Sequence, residues 1–215
     1  MTTKELAALH KVLLPHFPGF SRKGRSMFIV PAKHLLRGIH FDPSAFDKKS
    51  FSATSFVMPL FIPSQHLTLN FGDRVRNSRG GDRWNIETPN VAIELQKSLT
   101  NQVIPFLSSF TSLQSFIEMA RCHLNRAIES KAPPNLRGIE SIGYGLALAG
   151  KSESARDALR ELVKQVNLNI PWQLEMGANA EKLITNLERN PDGVKAQFES
   201  WENQTVKNLG LAAFL

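Results

Sequence analysis

Three cations and two glycines lie close together in the segment PGFSRKGRSMFIV, residues 18–30. Arg22, Lys23 and Arg25 surround Gly24, and their charged groups, with backbone N–H groups, are donors that could bind a phosphate. A nucleotide-phosphate loop, however, places Gly-Lys-Ser or Gly-Lys-Thr after a strand and at the start of a helix. Here a helical pattern precedes the loop and a strand-like run follows it. We therefore interpret the segment as the turn that opens a sheet, with its cations in solvent.

A second basic cluster lies in the segments GDRV and GDRW and in the glycine-containing stretch between them. It consists of four arginines: Arg74, Arg76, Arg79 and Arg83. The pattern predicts a hairpin with a loose glycine loop, in which Arg74 and Arg76 share one strand face. Asp73 and Asp82 could pair with these arginines and cancel much of their field. The two basic clusters and Trp84 are the predicted anion- or partner-binding residues.

If both clusters lie at one edge of the sheet, they form a surface for a nucleic acid or an acidic protein. Sheets that read RNA expose several aromatic side chains on which bases stack. Trp84 and Phe71 are the only aromatic neighbours of these arginines, and Tyr144 is the sole tyrosine. An acidic protein is therefore the favoured partner and nucleic acid the alternative, and we expect no membrane contact.

The histidines could serve as metal ligands, since five of the six precede residue 90. His40 and Asp42 are two residues apart on one strand face, and His66 on another strand could supply a third ligand. No helical His-x-x-x-His or Glu-x-x-His pattern supports such a site. We therefore expect solvated or hydrogen-bonded histidines and no cofactor. An enzyme with a His/Asp site in the sheet domain stays an alternative hypothesis.

Covalent catalysis has no signature in this chain. No Gly-x-Ser-x-Gly elbow occurs, and the one cysteine, Cys122, excludes an intrachain disulfide and a cysteine-based zinc site. Cys122 lies near the apolar stripe of a predicted helix, so we interpret it as a small packing residue. These absences favour a function other than catalysis.

The composition is that of a globular protein with an uneven charge. The hydrophobic fraction is 42% and the charged fraction 21%, which are ordinary for a folded soluble domain. No apolar run approaches the roughly 18–20 residues needed to span a bilayer, and the N-terminus is typical of a structural helix and not of a signal peptide. We therefore expect a cytoplasmic protein.

The net charge of +7 is confined to one part of the chain. Residues 1–90 hold 13 Lys and Arg against 6 Asp and Glu, whereas residues 91–215 hold 13 of each. Such an imbalance indicates either a polyanionic partner or two segments with different duties, and the simplest alternative is a basic domain that is merely soluble.

The elements that position these residues follow from the apolar spacing. Residues 4–14 predict a short amphipathic helix, which Pro15 and Pro18 end. Pro59 indicates an edge position or a bulge in its strand. The segments that favour strands are MFIV, KHLLRGIHFD, SFVMPLFI, HLTLNFG and the GDRV–GDRW hairpin. Four or five successive strands with short connections predict an antiparallel sheet.

After Trp84 the apolar period becomes helical. Thr88 followed by Pro89 predicts the start of a helix, and Pro105 must kink or restart that helix. The fold class is thus α+β, with an N-terminal helix, an antiparallel sheet of four to five strands and an all-helical C-terminal bundle.

The segment KAPPN, residues 131–135, is the predicted linker. It separates an α+β domain, residues 1–130, from a helical bundle, residues 132–215. The bundle is either an extension of the first domain or a small second domain.

The order of features in residues 5–125 resembles a widespread bacterial domain-of-unknown-function family. The matching stretches are GFSRKGRSMF, FVMPLFIPSQHLTLNFGDRV and GGDRWNIETPNVAIELQKSLTNQVIPFLSSFTSLQSFIEMA. The resemblance implies a helix, then an antiparallel sheet opened by a Gly-Phe-x-x-x-Gly turn, then an Arg-Trp segment and a helix. It implies no catalytic residues. Some relatives lie near toxin–immunity gene clusters, which favours a non-enzymatic, possible immunity-like protein-binding module.

Overall fold

The computed structural model describes residues 1–133 and 135–215 and confirms the α+β class. The predicted linker residue Pro134 lies outside the described residues. The five strands form one antiparallel open sheet in the order of the sequence. They are β1 (Phe20–Lys23), β2 (Ser26–Ile29), β3 (Leu35–Pro43), β4 (Ser50–Pro59) and β5 (Arg83–Asn85).

Eight α-helices are found in the described residues: α1 (Thr3–Leu13), α2 (Val91–Ser98), α3 (Ile104–Ser108), α4 (Leu113–Glu129), α5 (Leu136–Leu148), α6 (Ser152–Gln165), α7 (Pro171–Arg189) and α8 (Pro191–Leu209). A π-helical segment, Leu99–Val103, joins α2 to α3. Short 3-10 turns follow α1 and end the chain. Among these helices, none is long and apolar enough to cross a membrane.

The chain divides into two compact units, whose limits differ from the predicted 1–130 and 132–215. The first unit holds Met1–Met58, His66–Ser109 and Gly210–Leu215, and the second holds Pro59–Gln65 and Phe110–Leu209. The C-terminal residues belong to the first unit because Phe214 contacts β2: its ring lies 5.0 Å from that of Phe28, edge to face. Sequence spacing alone carries no signal for such a long-range return.

The segment predicted to be a turn before the sheet contributes a strand of its own. Residues 20–23 form β1, Gly24 has φ +55° in the turn, and β2 follows. Glycine suits this turn because its φ lies in the left-handed region, which side chains with a Cβ disfavour. The basic segment is therefore a β-hairpin. It is not a phosphate loop, because a strand and not a helix follows its turn.

The strand predicted at HLTLNFG does not form. Instead residues 71–75 run beside β4: the Val57 N–H donates to the Phe71 carbonyl at 2.8 Å, and the Val75 N–H donates to the Ala53 carbonyl at 2.8 Å. Gly72 permits this approach, since a Cβ there would lie 1.8 Å from the Ser55 carbonyl oxygen. The alternation of Leu and polar residues is typical of a strand, but this segment is not assigned as one.

The helix that was predicted to begin at Thr88 begins two residues later. Its N-cap is Asn90, whose φ is 61°. Pro105 does interrupt this helix, as predicted. Proline lacks an N–H and its ring clashes with the carbonyl four residues earlier. In this chain the helix widens into the π-helical segment just before Pro105 and restarts as α3.

Among the described residues, the second unit consists of residues 59–65 and of helices α4 to α8 with their connections. Its α5 is buried along nearly its whole length and contacts both α4 and α6. Rings of Phe61, Phe116 and Phe198 pack edge to face, with centroids 6.0–6.3 Å apart. Cys122 of α4 is exposed, so its predicted packing role is wrong: the residue lies outside the stripe of Phe116, Ile117 and Ala120.

Candidate partner-binding site

The order of the strands separates the two predicted basic clusters. Arg22 and Lys23 lie on β1, at one edge of the sheet, and Arg83 lies on β5, at the other edge. Four interstrand spacings of about 4.8 Å place these edges about 19 Å apart. The clusters are therefore two separate surfaces and do not form the single edge considered from the sequence.

The cations of the β1–β2 hairpin contact neighbouring groups of the first unit. The Lys23 ammonium group donates to the Gly210 carbonyl, and an Arg25 guanidinium nitrogen lies 3.6 Å from an Asp42 carboxylate oxygen. Arg22 is exposed at the outer edge. Two of the three cations thus already contact groups of the first unit.

The second cluster lies on an ordered loop, residues 74–83, which we call the arginine loop. Asn77 braces it from within: its side-chain oxygen accepts from the N–H groups of Arg79 and Gly81 at 3.0 and 3.1 Å, and its amide nitrogen donates to the Arg83 carbonyl at 2.9 Å. This hydrogen bonding is typical of an Asx turn. Hydrogen bonds therefore brace the loop that was predicted to be loose.

Two side chains from the α2–α3 region brace the arginine loop from outside. The Gln102 side chain accepts from the Arg76 N–H at 2.9 Å and donates to the Arg76 carbonyl at 2.8 Å. The Glu94 carboxylate accepts from the Ser78 hydroxyl at 2.6 Å and from the Ser78 N–H at 3.0 Å. These hydrogen bonds, the hydroxyl first, lower the pKa of Glu94, so it carries its charge at neutral pH.

Most arginine side chains of the loop form no ion pair within the described residues. One predicted ion pair forms, between Arg74 and Asp82 at 2.8 Å, and the Arg74 hydrogen bond lowers the pKa of Asp82. Arg76, Arg79 and Arg83 are exposed, and no ion pair within the described residues involves their guanidinium groups. The loop therefore presents three exposed cations without ion pairs to described residues. Hydrogen bonds from Ser78, Arg74 and Ser50 are the first cause of the lowered pKa values of Glu94, Asp82 and Asp47, respectively. The nearby charge of Arg79 also lowers the pKa of Glu94, and that of Arg83 also lowers the pKa values of Asp82 and Asp47.

The arginine loop borders an open cleft of about 710 Å³ in the first unit. Arg74, Arg76 and Gly81 line one side and Gln102 and Phe106 another. The lining is predominantly polar and carries both charges. Arg74 and Arg76 supply its positive charges, and Asp73 and Asp82 its negative charges.

Comparisons with models of known protein families, with curated proteins and with solved structures found no match to this chain.

Trp84, predicted as part of the binding surface, is buried, with 3% of its surface exposed. Its indole N–H donates to the Val75 carbonyl at 3.2 Å. Phe71, the other aromatic neighbour, is equally buried. Neither ring is available to stack on a nucleic-acid base, because each packs in the core beneath the arginine loop.

The weak metal candidates do not come together. His40 is hydrogen-bonded to the Ser26 hydroxyl at 2.9 Å and Asp42 pairs with Arg25. The part of the chain that is described contains no group of three His, Cys, Asp or Glu residues, His66 included, that could hold a metal ion. Burial lowers the pKa of His40 and so favours its neutral form.

Three residues of the site were missed in the sequence: Asn77, Glu94 and Gln102. Asn77 had a readable signal, because an Asn followed by Ser-Arg-Gly-Gly is typical of an Asx turn. Gln102 had none, since it contacts Arg76 across 26 positions. Gln102 and Arg76 come together only through the π-helical segment and the path of the arginine loop.

Proposed function

We propose that this chain is a non-enzymatic, cytoplasmic protein-binding module that recognises an acidic protein through the arginine loop. The observation that supports the proposal is a loop braced by Asn77 and Gln102 that displays three cations without ion pairs in the described chain. Ordering a partner-binding loop in advance reduces the entropy lost on association. The resemblance noted in the sequence makes an immunity-like role the specific form of this proposal.

Nucleic acid is the alternative ligand that the same charge would attract. Trp84 and Phe71 are buried, so the arginine loop itself exposes no ring on which successive bases of a single strand could stack. Reading of a duplex needs a helix or strand ribbon that enters a groove, and the arginine loop is a compact turn beside a cleft. A cationic loop without a helix or strand ribbon that can enter a groove favours an acidic protein as the partner.

The test is affinity capture from a nuclease-treated lysate with the purified protein and a charge-reversed variant, Arg76→Glu/Arg79→Glu/Arg83→Glu. We expect the wild type to retain an acidic protein and the variant to retain at least about tenfold less, since reversing charges near an acidic surface costs more than about 1.4 kcal/mol. Circular dichroism checks that the variant is folded.

The matched control reverses three exposed cations of the second unit, Lys182→Glu/Arg189→Glu/Lys195→Glu, and so changes the net charge equally. This control variant should retain the same protein as the wild type. Equal capture by both reversed variants would refute the proposal. A component that is captured from untreated lysate and lost after nuclease treatment would instead identify nucleic acid as the ligand.

A further inference from the structure

Phe46 lies at the turn between β3 and β4 with 94% of its surface exposed. The next most exposed large hydrophobic side chain in the described residues is Ile128, at 66%. Single exposed apolar residues are ordinary on protein surfaces. Phe46 differs in that its whole ring stands in solvent at the tip of a hairpin.

Hydrogen bonds within the turn brace the backbone around Phe46. The Ser44 hydroxyl oxygen accepts from the N–H groups of Phe46 and Asp47, both at 3.2 Å. The Asp47 carboxylate accepts from the Lys49 N–H at 2.9 Å and from the Ser50 hydroxyl. The Ser44 N–H donates to the Ser50 carbonyl at 2.9 Å and closes the turn. An aromatic side chain on such a turn loses little backbone entropy when a partner covers it.

The same turn lies beside the arginine loop. In the sheet Ser50 is opposite Asn85 and Ser52 is opposite Arg83, while Thr54 is opposite Arg74. At about 3.3 Å per residue, Arg83 and Arg74 are about 7 and 13 Å along β4 from the start of that strand. Lys48 and Asp47, both exposed, place a charge of each sign beside Phe46. The hydrogen bond from the Ser50 hydroxyl is the first cause of the lowered pKa of Asp47, and the nearby charge of Arg83 also lowers it. The turn and the β5 end of the arginine loop are therefore neighbours within the span of a standard interface, about 800 Å² of each partner.

We propose that Phe46 is the aromatic anchor of the interface formed by the arginine loop, and that it enters an apolar pocket on the acidic partner. This proposal rests on the proposed function. Interfaces gain most of their affinity from a few aromatic and arginine side chains surrounded by polar groups. Phe46 supplies the apolar contact that the arginine loop lacks, and the arginines select a partner whose pocket is rimmed by carboxylates.

A bilayer is the less suitable occupant. Burying one Phe side chain contributes about 1.5–3 kcal/mol. That is less than a single myristoyl chain contributes, and even such a chain holds a protein at a membrane only marginally. A pocket in a protein adds shape complementarity and direct carboxylate contacts to the same burial.

The test compares Phe46→Ala with the arginine-loop variant, Arg76→Glu/Arg79→Glu/Arg83→Glu. The control is Leu168→Ala, which truncates another exposed apolar residue. The probe is the protein that the wild type captures from nuclease-treated lysate and the arginine-loop variant does not. We expect Phe46→Ala to retain at least about tenfold less of that same protein and Leu168→Ala to retain it fully. Melting curves should be unchanged by Phe46→Ala, because the ring touches no core.

A photo-crosslinking amino acid, p-benzoylphenylalanine, placed at position 46 should form a covalent adduct with that protein, at an apolar site flanked by Asp or Glu. Full capture by Phe46→Ala, with loss in the arginine-loop variant, would overturn the anchor and leave the proposed function standing. If no protein distinguishes the arginine-loop variant from the wild type, both proposals fail. Phe46-dependent binding to vesicles of equal parts phosphatidylcholine and phosphatidylserine would also overturn the anchor.

Discussion

His10 lies on the buried face of α1, and its ring contacts that of Phe41 edge to face at 5.0 Å. Neither ring nitrogen has a hydrogen-bond partner in the described residues. Burial, followed by the nearby charge of Arg22, lowers the pKa of His10 from 6.5 to about 4. The folded protein therefore holds this histidine neutral, whereas the unfolded chain protonates it near its ordinary pKa.

Replacing His10 should make the protein less sensitive to acid. A base whose pKa is lowered by folding leaves stability unchanged above pH 6.5 and lowers it as the pH falls from 6.5 to about 4. The loss in the wild type amounts to about 3 kcal/mol. Urea unfolding of wild type and His10→Leu at pH 7, 5 and 4 measures it. The two free energies should diverge on acidification in favour of the variant.

The matched variant is His16→Leu, at an exposed position three residues beyond α1. It should show the same acid sensitivity as the wild type. Parallel pH profiles for wild type and His10→Leu would contradict the assignment of acid sensitivity to His10.

Glu140 of α5 acts in the opposite sense. It is almost fully buried, with its carboxylate 2.7 Å from the Arg137 guanidinium, and burial raises its pKa despite this partner. A carboxyl group with a raised pKa contributes stability that is present at low pH and declines as the pH rises above 4.5. The comparison of His10 variants cancels this contribution, because every variant retains Glu140.

At the scale of the element, the π-helical segment decides where Gln102 lies. An extra residue per turn shifts the side chains that follow it around the helix axis. The change of period before Pro105 accompanies the placement of Gln102 against the backbone of Arg76. The helix interruption at Pro105 can be predicted from the sequence. The π-helical segment that accompanies it places Gln102 in the candidate site.

Replacing Gln102 by Ala should loosen the arginine loop without unfolding the protein. Two hydrogen bonds to Arg76 are lost at an exposed position, which should lower the free energy of unfolding by about 1–2 kcal/mol. Amide hydrogen exchange of residues 74–81 should accelerate. Asn101→Ala, at the adjacent exposed position of the same π-helical segment, is the control and should leave exchange unchanged.

Gln102→Glu tests whether one of the two hydrogen bonds to Arg76 is enough to hold the arginine loop. Its carboxylate can still accept from the Arg76 N–H but cannot donate to the Arg76 carbonyl. We expect exchange between that of wild type and Gln102→Ala. Protection equal to the wild type in both variants would show that Gln102 does not hold the loop.

At the scale of the whole molecule, the net charge of +7 belongs to residues 1–90, which form most of the first unit. Charge confined in this way attracts an acidic partner from a distance and orients it before contact. The anchor at Phe46 acts only after contact. The two parts of the proposed interface should therefore affect different rate constants.

Raising the salt concentration should slow association with the acidic partner and leave dissociation of the anchored complex nearly unchanged, because exposed charges are screened within about 8–10 Å at physiological ionic strength. Surface plasmon resonance at increasing NaCl would measure both rates. Phe46→Ala should instead accelerate dissociation at every salt concentration. An association rate independent of salt would rule out steering by the first unit.

Features set by local spacing were predictable from the sequence. The period of apolar residues identified α1, the helices after residue 90 and the α+β class, and Pro105 marked the helix interruption. The charge confined to the first ninety residues is a property of composition and needs no fold. The segment at HLTLNFG shows the limit, since alternation alone does not create a partner strand.

The sequence by itself therefore determined the fold class, the helical second half and the presence of two basic clusters. Only the tertiary structure decided that these clusters lie at opposite sheet edges, that Trp84 is buried and that Gln102 holds Arg76. The physical reason is the range of the interactions. Turns, caps and periodicity depend on neighbours within a few residues, whereas strand order and loop bracing depend on packing between residues far apart in the chain.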